Sequence, residues 1–269
     1  MGQNRPLPIR LAPRRLHLSL VDRYYRERRG RWLALYQSAP LLAAPNVSMQ
    51  LVPGDRVSDV LAFTGCYEDG LTRRVVEVGR RGGTMIDVGA NLGYFSLLWL
   101  SANSLNRCIA FEAAPRNIEI LRNNILQNGM DGRASIISSA ASDRPGKVIF
   151  DPGPEDQRGW GGIVLEDKNR QCIEIDAVRV DEAVSQDQEI SLLKIDTEGA
   201  DTLVLKGCER LLKKGLIGEI WFEQNKARMQ QIRIPLDAAR NFLESVGYSC
   251  IAHDRESDGV VEWSATRHH

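Results

Sequence analysis

Asp196 and Glu198 stand two residues apart in "IDTEG", just past an apolar run, with Lys194 two residues before Asp196. Carboxylates at the end of a strand suit proton transfer, because either one can take the proton from a hydroxyl that is becoming a nucleophile. Together with Glu223, which ends the next apolar run, they could instead hold a hard cation such as Mg²⁺ that lowers the pKa of the hydroxyl. The same segment would also serve as a helix cap, where an acid stabilises the first turn by about 0.3–1 kcal/mol. His253 is the other candidate base in the chain, and a histidine satisfied within the fold is the alternative reading of it.

A second constellation lies upstream. "MIDVGANLGYFS", residues 85–96, reads as a strand ending at Asp87, then a turn through Gly89, Asn91 and Gly93 into an apolar helix. Glycine allows positive φ and removes the Cβ that would keep a ligand from the main chain, while the helix start offers unpaired N–H donors. The dinucleotide fingerprint G-x-G-x-x-G is broken at Asn91 and Tyr94, so a nicotinamide cofactor is disfavoured. A G-x-N-x-G turn after an acid suits a ligand with a cationic centre and an amino-acid tail, as in S-adenosylmethionine. A tight turn in any α/β protein would use the same glycines. Glu112 follows Gly89 by 23 residues at the end of the next strand, where a doubly wound fold places an acid on ribose hydroxyls.

These residues need a scaffold, and the chain supplies strands and helices in alternation, the rhythm of a parallel sheet. "RCIAFEA", "ASIISSAAS" (134–142), "SLLKIDTEG" and "IGEIWFE" read as the next strands. A helix opens at Pro115 and closes at Gly129. Another carries Leu203, Leu205, Leu211 and Leu212 to a cap near Gly215, and a third opens at Pro235 and ends near Gly247. Two short strands, about 248–253 and 259–264, finish the chain. An insertion at roughly 147–180 pairs "KVIFD" with "CIEIDAVRV" as a hairpin around "RGWGGI". There Trp160 and Gly161 are expected to form a flexible lid or acceptor wall, a core tryptophan being the alternative. Because open parallel sheets bind ligands at the carboxyl ends of their strands, Asp87, Glu112, Ser139, Ala140, Ala141, Ser142, Asp196 and Glu223 should meet in one crevice.

Composition narrows the class. Of 269 residues, 43% are hydrophobic and 26% charged, and 35 basic residues balance 35 acidic ones, so net charge points to no partner. Five widely spaced cysteines without a C-x-x-C pair argue against a disulfide framework or a zinc site and fit a reducing cytoplasm. No apolar stretch approaches the ~20 residues of a membrane span, and no signal-peptide core is visible at the start. His268 and His269 read as the remnant of a tag. The exception to charge balance is the first 31 residues, with nine arginines (Arg5, Arg10, Arg14, Arg15, Arg23, Arg26, Arg28, Arg29 and Arg31) against Asp22 and Glu27. This helical arm, with Tyr24, Tyr25, Trp32 and Tyr36 interleaved, is expected to form a solvated face or a homo-oligomer contact, with an anionic substrate or membrane surface as alternatives. Nucleic acid is not favoured. Residues 1–55 are taken as the basic arm and 56–267 as the main domain.

Five stretches in order, "YEDGLT" (67–72), "IDVGANLGYFS" (86–96), "FEAAPRNIEILRNNILQNG" (111–129), "VRVDE" (178–182) and "LLKIDTEGADTLVLKG" (192–207), resemble the FkbM-type S-adenosylmethionine-dependent methyltransferases. The chain departs from the commoner wording of that family at Ala113 and Asp201, with conservative roles. The resemblance implies an α/β class I methyltransferase fold, a Rossmann-like seven-stranded mostly parallel sheet with helices on both faces, here with the basic arm and a β-hairpin insertion. It implies a small-molecule acceptor methylated on a hydroxyl of a sugar or natural product. It also implies a cofactor site at Glu68, Asp87, Gly89, Asn91, Gly93, Glu112, Ser139, Ala140, Ala141 and Asp196. Asp196, Glu198, Lys194 and Glu223 are the expected catalytic residues, Trp160 and Gly161 the expected acceptor contacts, and Mg²⁺ is an optional addition. A nitrogen, carrier-bound or anionic acceptor and a non-catalytic nucleotide-binding module are the alternatives.

Overall fold

A computed structural model describes residues 5–13, 16–166, 171–257 and 259–267. Arg14, Arg15, His268 and His269, about which expectations are stated above, lie outside them, as does the side chain of Tyr24. Two helices, α1 (Arg56–Thr64) and α2 (Asp69–Gly79), precede the first long strand. Then β1 (Thr84–Val88), α3 (Tyr94–Ala102), β2 (Arg107–Phe111), α4 (Pro115–Gln127) and β3 (Ala134–Ile137) follow. After an insertion come β6 (Ile190–Ile195), the consecutive helices α5 (Asp201–Gly207) and α6 (Glu209–Lys214), and β7 (Ile217–Asn225). The chain closes with α7 (Lys226–Gln231), α8 (Ala238–Ser245), β8 (Tyr248–Ser257) and β9 (Val260–Arg267). The insertion contributes β4 (Gly146–Asp151) and β5 (Ile173–Val178).

The seven-stranded sheet runs β8-β9-β7-β6-β1-β2-β3, with β9 alone antiparallel to its neighbours. Strand order reverses between β6 and β1, which opens a crevice beyond their carboxyl ends. Alternation along the strands divides the core. Met85 and Leu192 join α2, α3 and the N-terminal segment on one face, whereas Ile86, Val88, Leu193 and Ile195 join α5, α6 and α8 on the other. This is the expected α/β fold with helices on both faces.

Several elements differ from the sequence reading. The third strand stops at Ile137, and Ala140–Ala141 leaves the main sheet to pair in parallel with β5. The insertion is therefore a four-stranded sheet, Ala140–Ala141, β5, β4 and Gly162–Val164, rather than a hairpin. The helix expected over Leu203–Leu212 is two helices broken at Cys208. Asp181 carboxylate oxygens accept from the Arg210 and Leu211 N–H groups (2.8 and 3.1 Å), so α6 has its own N-terminal cap. α7 was not foreseen, Pro235 lies ahead of α8 rather than at its first turn, and β8 and β9 are longer than expected.

The N-terminal segment is helical and packed onto the domain. Ile9, Val21, Leu35 and Tyr36 lie in the same core as α2 and α3. Arg5 is only 7% exposed and donates to the carbonyls of Ala62 (3.0 Å), Leu61 (3.4 Å) and Pro40 (2.5 Å), thereby capping the carboxyl end of α1. Arg26 lies 3.7 Å from the buried carboxylate of Asp59, which also accepts from the Tyr36 hydroxyl (2.6 Å). Part of the basic excess is thus internal structure. Among the described residues, no helix is long and apolar enough to cross a membrane.

Gly89 and Gly129 both adopt positive φ, 74° and 65°. A Cβ at Gly89 would meet the Asp196 carbonyl oxygen at 1.9 Å, whereas one at Gly129 meets nothing within 4 Å. Gly129→Ala should therefore cost only the left-handed backbone penalty of about 1–2 kcal/mol. Gly89→Ala must in addition push β6 away, and denaturant titration should show a clearly larger loss. Equal losses would mean that the β1–β6 approach is not tight.

Candidate active site

The turn after β1 is held by its neighbours rather than by its own residues. The Gly89 and Ala90 N–H groups both donate to the Phe111 carbonyl at 3.0 Å, which fixes the turn to the end of β2. Asn91, at φ 52°, donates its N–H to Glu112 (2.7 Å), and Ala114 donates to the other oxygen of that carboxylate (2.8 Å). Glu112 is 6% exposed, and burial pushes its pKa up to about 7 against those hydrogen bonds. The oxygen facing Ala114 also accepts from Asn117 Nδ2 (3.4 Å), which leaves a lone pair on the oxygen that faces Asn91.

Beneath this turn sits a buried charge cluster. Lys194 is 2% exposed; its Nζ donates to the Gly89 carbonyl (2.9 Å) and lies 3.3 Å from Asp87 and 3.6 Å from Asp196. Burial alone would lower the lysine's pKa, but the two aspartates outweigh it and hold it above the ordinary value. Asp87, fully buried, also accepts from the Ser96 hydroxyl at 2.6 Å.

On the far side of the crevice, carboxylates accumulate. Glu198, at φ 52°, accepts from Asn225 Nδ2 (2.9 Å) and lies 4.0 Å from Arg228. Its pKa is pushed up to about 7 by burial and then by Asp196. Glu223 is pushed up to about 10 by burial and by the charges of Asp196, Glu198, Asp201 and Glu68. Asp201 is raised to about 6 by burial, although it accepts from the Thr197 hydroxyl (2.8 Å) and the Glu223 N–H (3.0 Å). A carboxylate near 7 can exchange a proton at neutral pH, whereas Glu223 holds its own.

The turn, Glu112, Asp196, Glu198 and Glu223 open into one cavity of about 610 Å³, within the range of small-molecule sites. Of the residues expected at a cofactor site, Glu68, Gly89, Asn91, Glu112, Ser139, Ala140, Ala141 and Asp196 line it, and so do Glu198, Glu223, Trp160 and Gly161. Asp87, Gly93 and Lys194 do not. Asp87 and Lys194 neutralise one another one layer down, and Gly93 starts α3 at φ 94° with its Cβ position 2.7 Å from Leu121. Ser142 also lies off the wall, its N–H bonded to the Val178 carbonyl. His253 stacks on Trp221 (4.4 Å between ring centroids) and bonds Ser264 (2.8 Å), away from the cavity, as a structural histidine would. Among the described residues, no group of three or more His, Cys, Asp or Glu side chains is arranged to hold a metal ion, so the expected Mg²⁺ finds no ligand set.

Trp160 is 48% exposed and so is not a core residue. Its loop is anchored, not flexible. Arg116 donates to the carbonyls of Pro152 (2.5 Å), Gly153 and Pro154 (3.1 Å each), Asp55 accepts from the Arg158 N–H (2.9 Å), and Arg228 donates to the Trp160 carbonyl (2.7 Å). The sequence reading missed Asn225, Arg228, Asn117 and Glu262, which also line the cavity. The polar "EQN" after the apolar run of β7 was the one available signal.

Because the folded-state pKa values of Glu112, Glu198 and Glu223 are raised, the native state keeps protons that the unfolded chain has released. Stability therefore falls as pH rises from about 4.5 through 7, and on toward about 10 for Glu223. Glu223→Gln should stabilise the ligand-free protein by about 1–3 kcal/mol at pH 8 and flatten the fall of melting temperature between pH 5 and 9. An unchanged profile would show that Glu223 is solvated in solution.

A family model described as the methyltransferase FkbM domain matches residues 87–250. No curated protein matches the chain in sequence. Among solved structures, methyltransferase FkbM from Methylobacillus flagellatus KT is similar at 14% identity and a TM-score of 0.49, covering 89% of this chain and 60% of that one. This chain thus spans less than two thirds of that protein's length. Precorrin-6y C5,15-methyltransferase from Geobacter metallireducens GS-15 is 14% identical (TM-score 0.44, 76% of this chain and 90% of that one). An O-methyltransferase from Bacillus cereus, in complex with SAH, is 13% identical (TM-score 0.46, 75% and 83%). With the FkbM domain model matching more than half of its length, the chain belongs to the methyltransferase FkbM family.

Proposed function

We propose that the protein is an S-adenosylmethionine-dependent methyltransferase acting on a hydroxyl of a small molecule, a sugar or natural product. The observation that carries this reading is the single cavity in which the glycine turn, Glu112 and the Asp196–Glu198 pair meet. The wall fits the cofactor chemically. The Asn91 side-chain oxygen is buried there without a partner, and the carboxylates offer anionic surroundings to a sulfonium and an ammonium group. Glu112 and Asn91 would hold the nucleoside, and Glu68 the cationic end. When bound, S-adenosylmethionine supplies an electrophilic methyl carbon on a positively charged sulfur.

The chain's own residues then have two tasks. Trp160, Gly161 and Phe150 form a wall that orients the acceptor and keeps water out. Glu198, raised to about 7, takes the hydroxyl proton as general base, beside Asp196, which lies 3.6 Å from Lys194. A reducing cytoplasmic setting and residues 56–267 as the catalytic unit belong to the same reading.

Calorimetry should show binding of S-adenosylmethionine in preference to NAD, and Glu112→Ala should weaken it about ten- to hundredfold, the equivalent of about 1.5–3 kcal/mol. Asp196→Asn and Glu198→Gln should lower methyl transfer by ~10²–10⁴ while changing cofactor affinity by well under tenfold. Wild-type rates in both would return these acids to a capping role. Trp160→Ala should raise KM for the acceptor and leave the melting temperature and cofactor affinity nearly unchanged. A large drop in melting temperature would make the tryptophan a packing residue.

A further inference from the structure

The inserted sheet has two unlike faces. Cross-strand partners share a face, and so do residues two apart on one strand. The register therefore puts Lys147 and Asp176, ion-paired at 2.7 Å, on the same side as Ile149 and Glu174. The other side is apolar. Ile163, Phe150 and Ile173 form one row across three neighbouring strands, and Val148 and Ile175 form the row beside it. A sheet of this kind turns its charged side to water and covers the other, but here the cover is incomplete. Ile163 and Phe150 line the cavity, and Phe150 is 5% exposed, whereas Ile173, next in the row, is 36% exposed. Val148 and Ile175 are half-buried. The row also starts beside the proposed base, since a Cβ at Gly162, the residue before Ile163, would lie 3.3 Å from the Glu198 Cβ.

Resting on the methyltransferase reading above, we infer that the acceptor is an amphiphile: its hydroxylated head group enters the cavity, and a hydrocarbon chain attached to the head leaves along the row Ile163, Phe150 and Ile173. The continuity of the row carries this. Apolar side chains confined to the cavity would suit the ring face of any sugar, but this row runs on past the cavity to an exposed isoleucine. Its ends are two strand spacings apart, about 10 Å, which is more than a single methyl substituent spans. Each methylene that leaves water against the row contributes up to about fourfold in affinity. Glu198 at one end and Ile173 at the other give the acceptor a direction, with the reacting hydroxyl inward and the chain outward. The chain contact is thus binding without chemistry, and its loss acts on KM.

The test incubates the full chain with trideuteromethyl-labelled S-adenosylmethionine and, separately, an aqueous and a chloroform–methanol extract of the source cells. Labelled products are partitioned between butanol and water and followed by mass. The expected product enters butanol and carries the label as a methyl ether on its polar head. Label confined to water-soluble products overturns the inference while leaving a methyltransferase. Absence of any enzyme-dependent label overturns the methyltransferase reading and this inference with it. With the butanol-soluble product's precursor as substrate, Ile173→Asn should raise KM about three- to tenfold, with kcat and the affinity for S-adenosylmethionine changed less than twofold. Ile149→Asn, on the charged face, should leave KM unchanged. Homologues of the precursor with shorter chains should lose about two- to fourfold in kcat/KM per methylene removed, and less in Ile173→Asn. Equal KM values in the wild type and Ile173→Asn, or a chain that can be shortened without loss, overturn the assignment of the row. A weakened affinity for S-adenosylmethionine in Ile173→Asn would give the row to the cofactor and overturn it as well.

Discussion

The crevice depends on one buried ion pair, Lys194 with Asp87, 3.3 Å apart where β6 and β1 run side by side. Where strand order reverses, the chain leaves β1 and β6 in different directions, and the carbonyls at their ends lose ladder partners. Lys194 replaces them, donating to Gly89 and lying against Asp196, while Phe95 of α3 places its ring 5.4 Å beneath the ammonium. A lone buried ammonium would cost several kcal/mol, and so would a lone Asp87; each is tolerable only with the other. The pair therefore fixes three things at once: the strand separation, the turn after β1 and the direction of Asp196.

That arrangement determines the electrostatics above it. With Lys194 matched to Asp87, its charge does not offset the acids on the cavity wall, and the pKa values of Glu198 and Glu223 rise as burial and mutual repulsion dictate. The inserted sheet deepens the effect. Its loop of Trp160, anchored by Arg116, Asp55 and Arg228, adds a protein wall to the crevice, where charges are screened less than in open water. The wall is thus costly to the empty protein and suited to cationic ligands for one and the same reason.

The parts of this plan that follow from local chemistry were legible in the sequence. The glycine turn, the acid 23 residues on and the polar ends of apolar strands each carry a local signal, and the parallel sheet followed from their alternation. What escaped was non-local. "ASIISSAAS" has no mark where the chain leaves one sheet for another, because the exit is set by pairing with β5, more than thirty residues later. Asp87 looked like a ligand because it ends a strand beside a glycine turn, and only Lys194, far along the chain, makes it a buried counter-ion. Trp160 between glycines suggested mobility, whereas the groups that hold its loop come from α4, α7 and the residue ahead of α1.

Glu112 shows why a position can be structural and functional without compromise. Its two oxygens accept from the N–H groups of Asn91 and Ala114, so the carboxylate fastens the turn after β1 to the turn after β2. A ligand hydroxyl donor would approach the lone pair left on the oxygen that faces Asn91 and favour the ionised form, working against the burial that raises its pKa to about 7. Occupation of the site and tightness of the turn are therefore coupled through one side chain. A glutamine of the same shape could not replace it, because its NH₂ group would have to face one of the two backbone donors. The position demands acceptors on both sides, and a carboxylate is the side chain that supplies them.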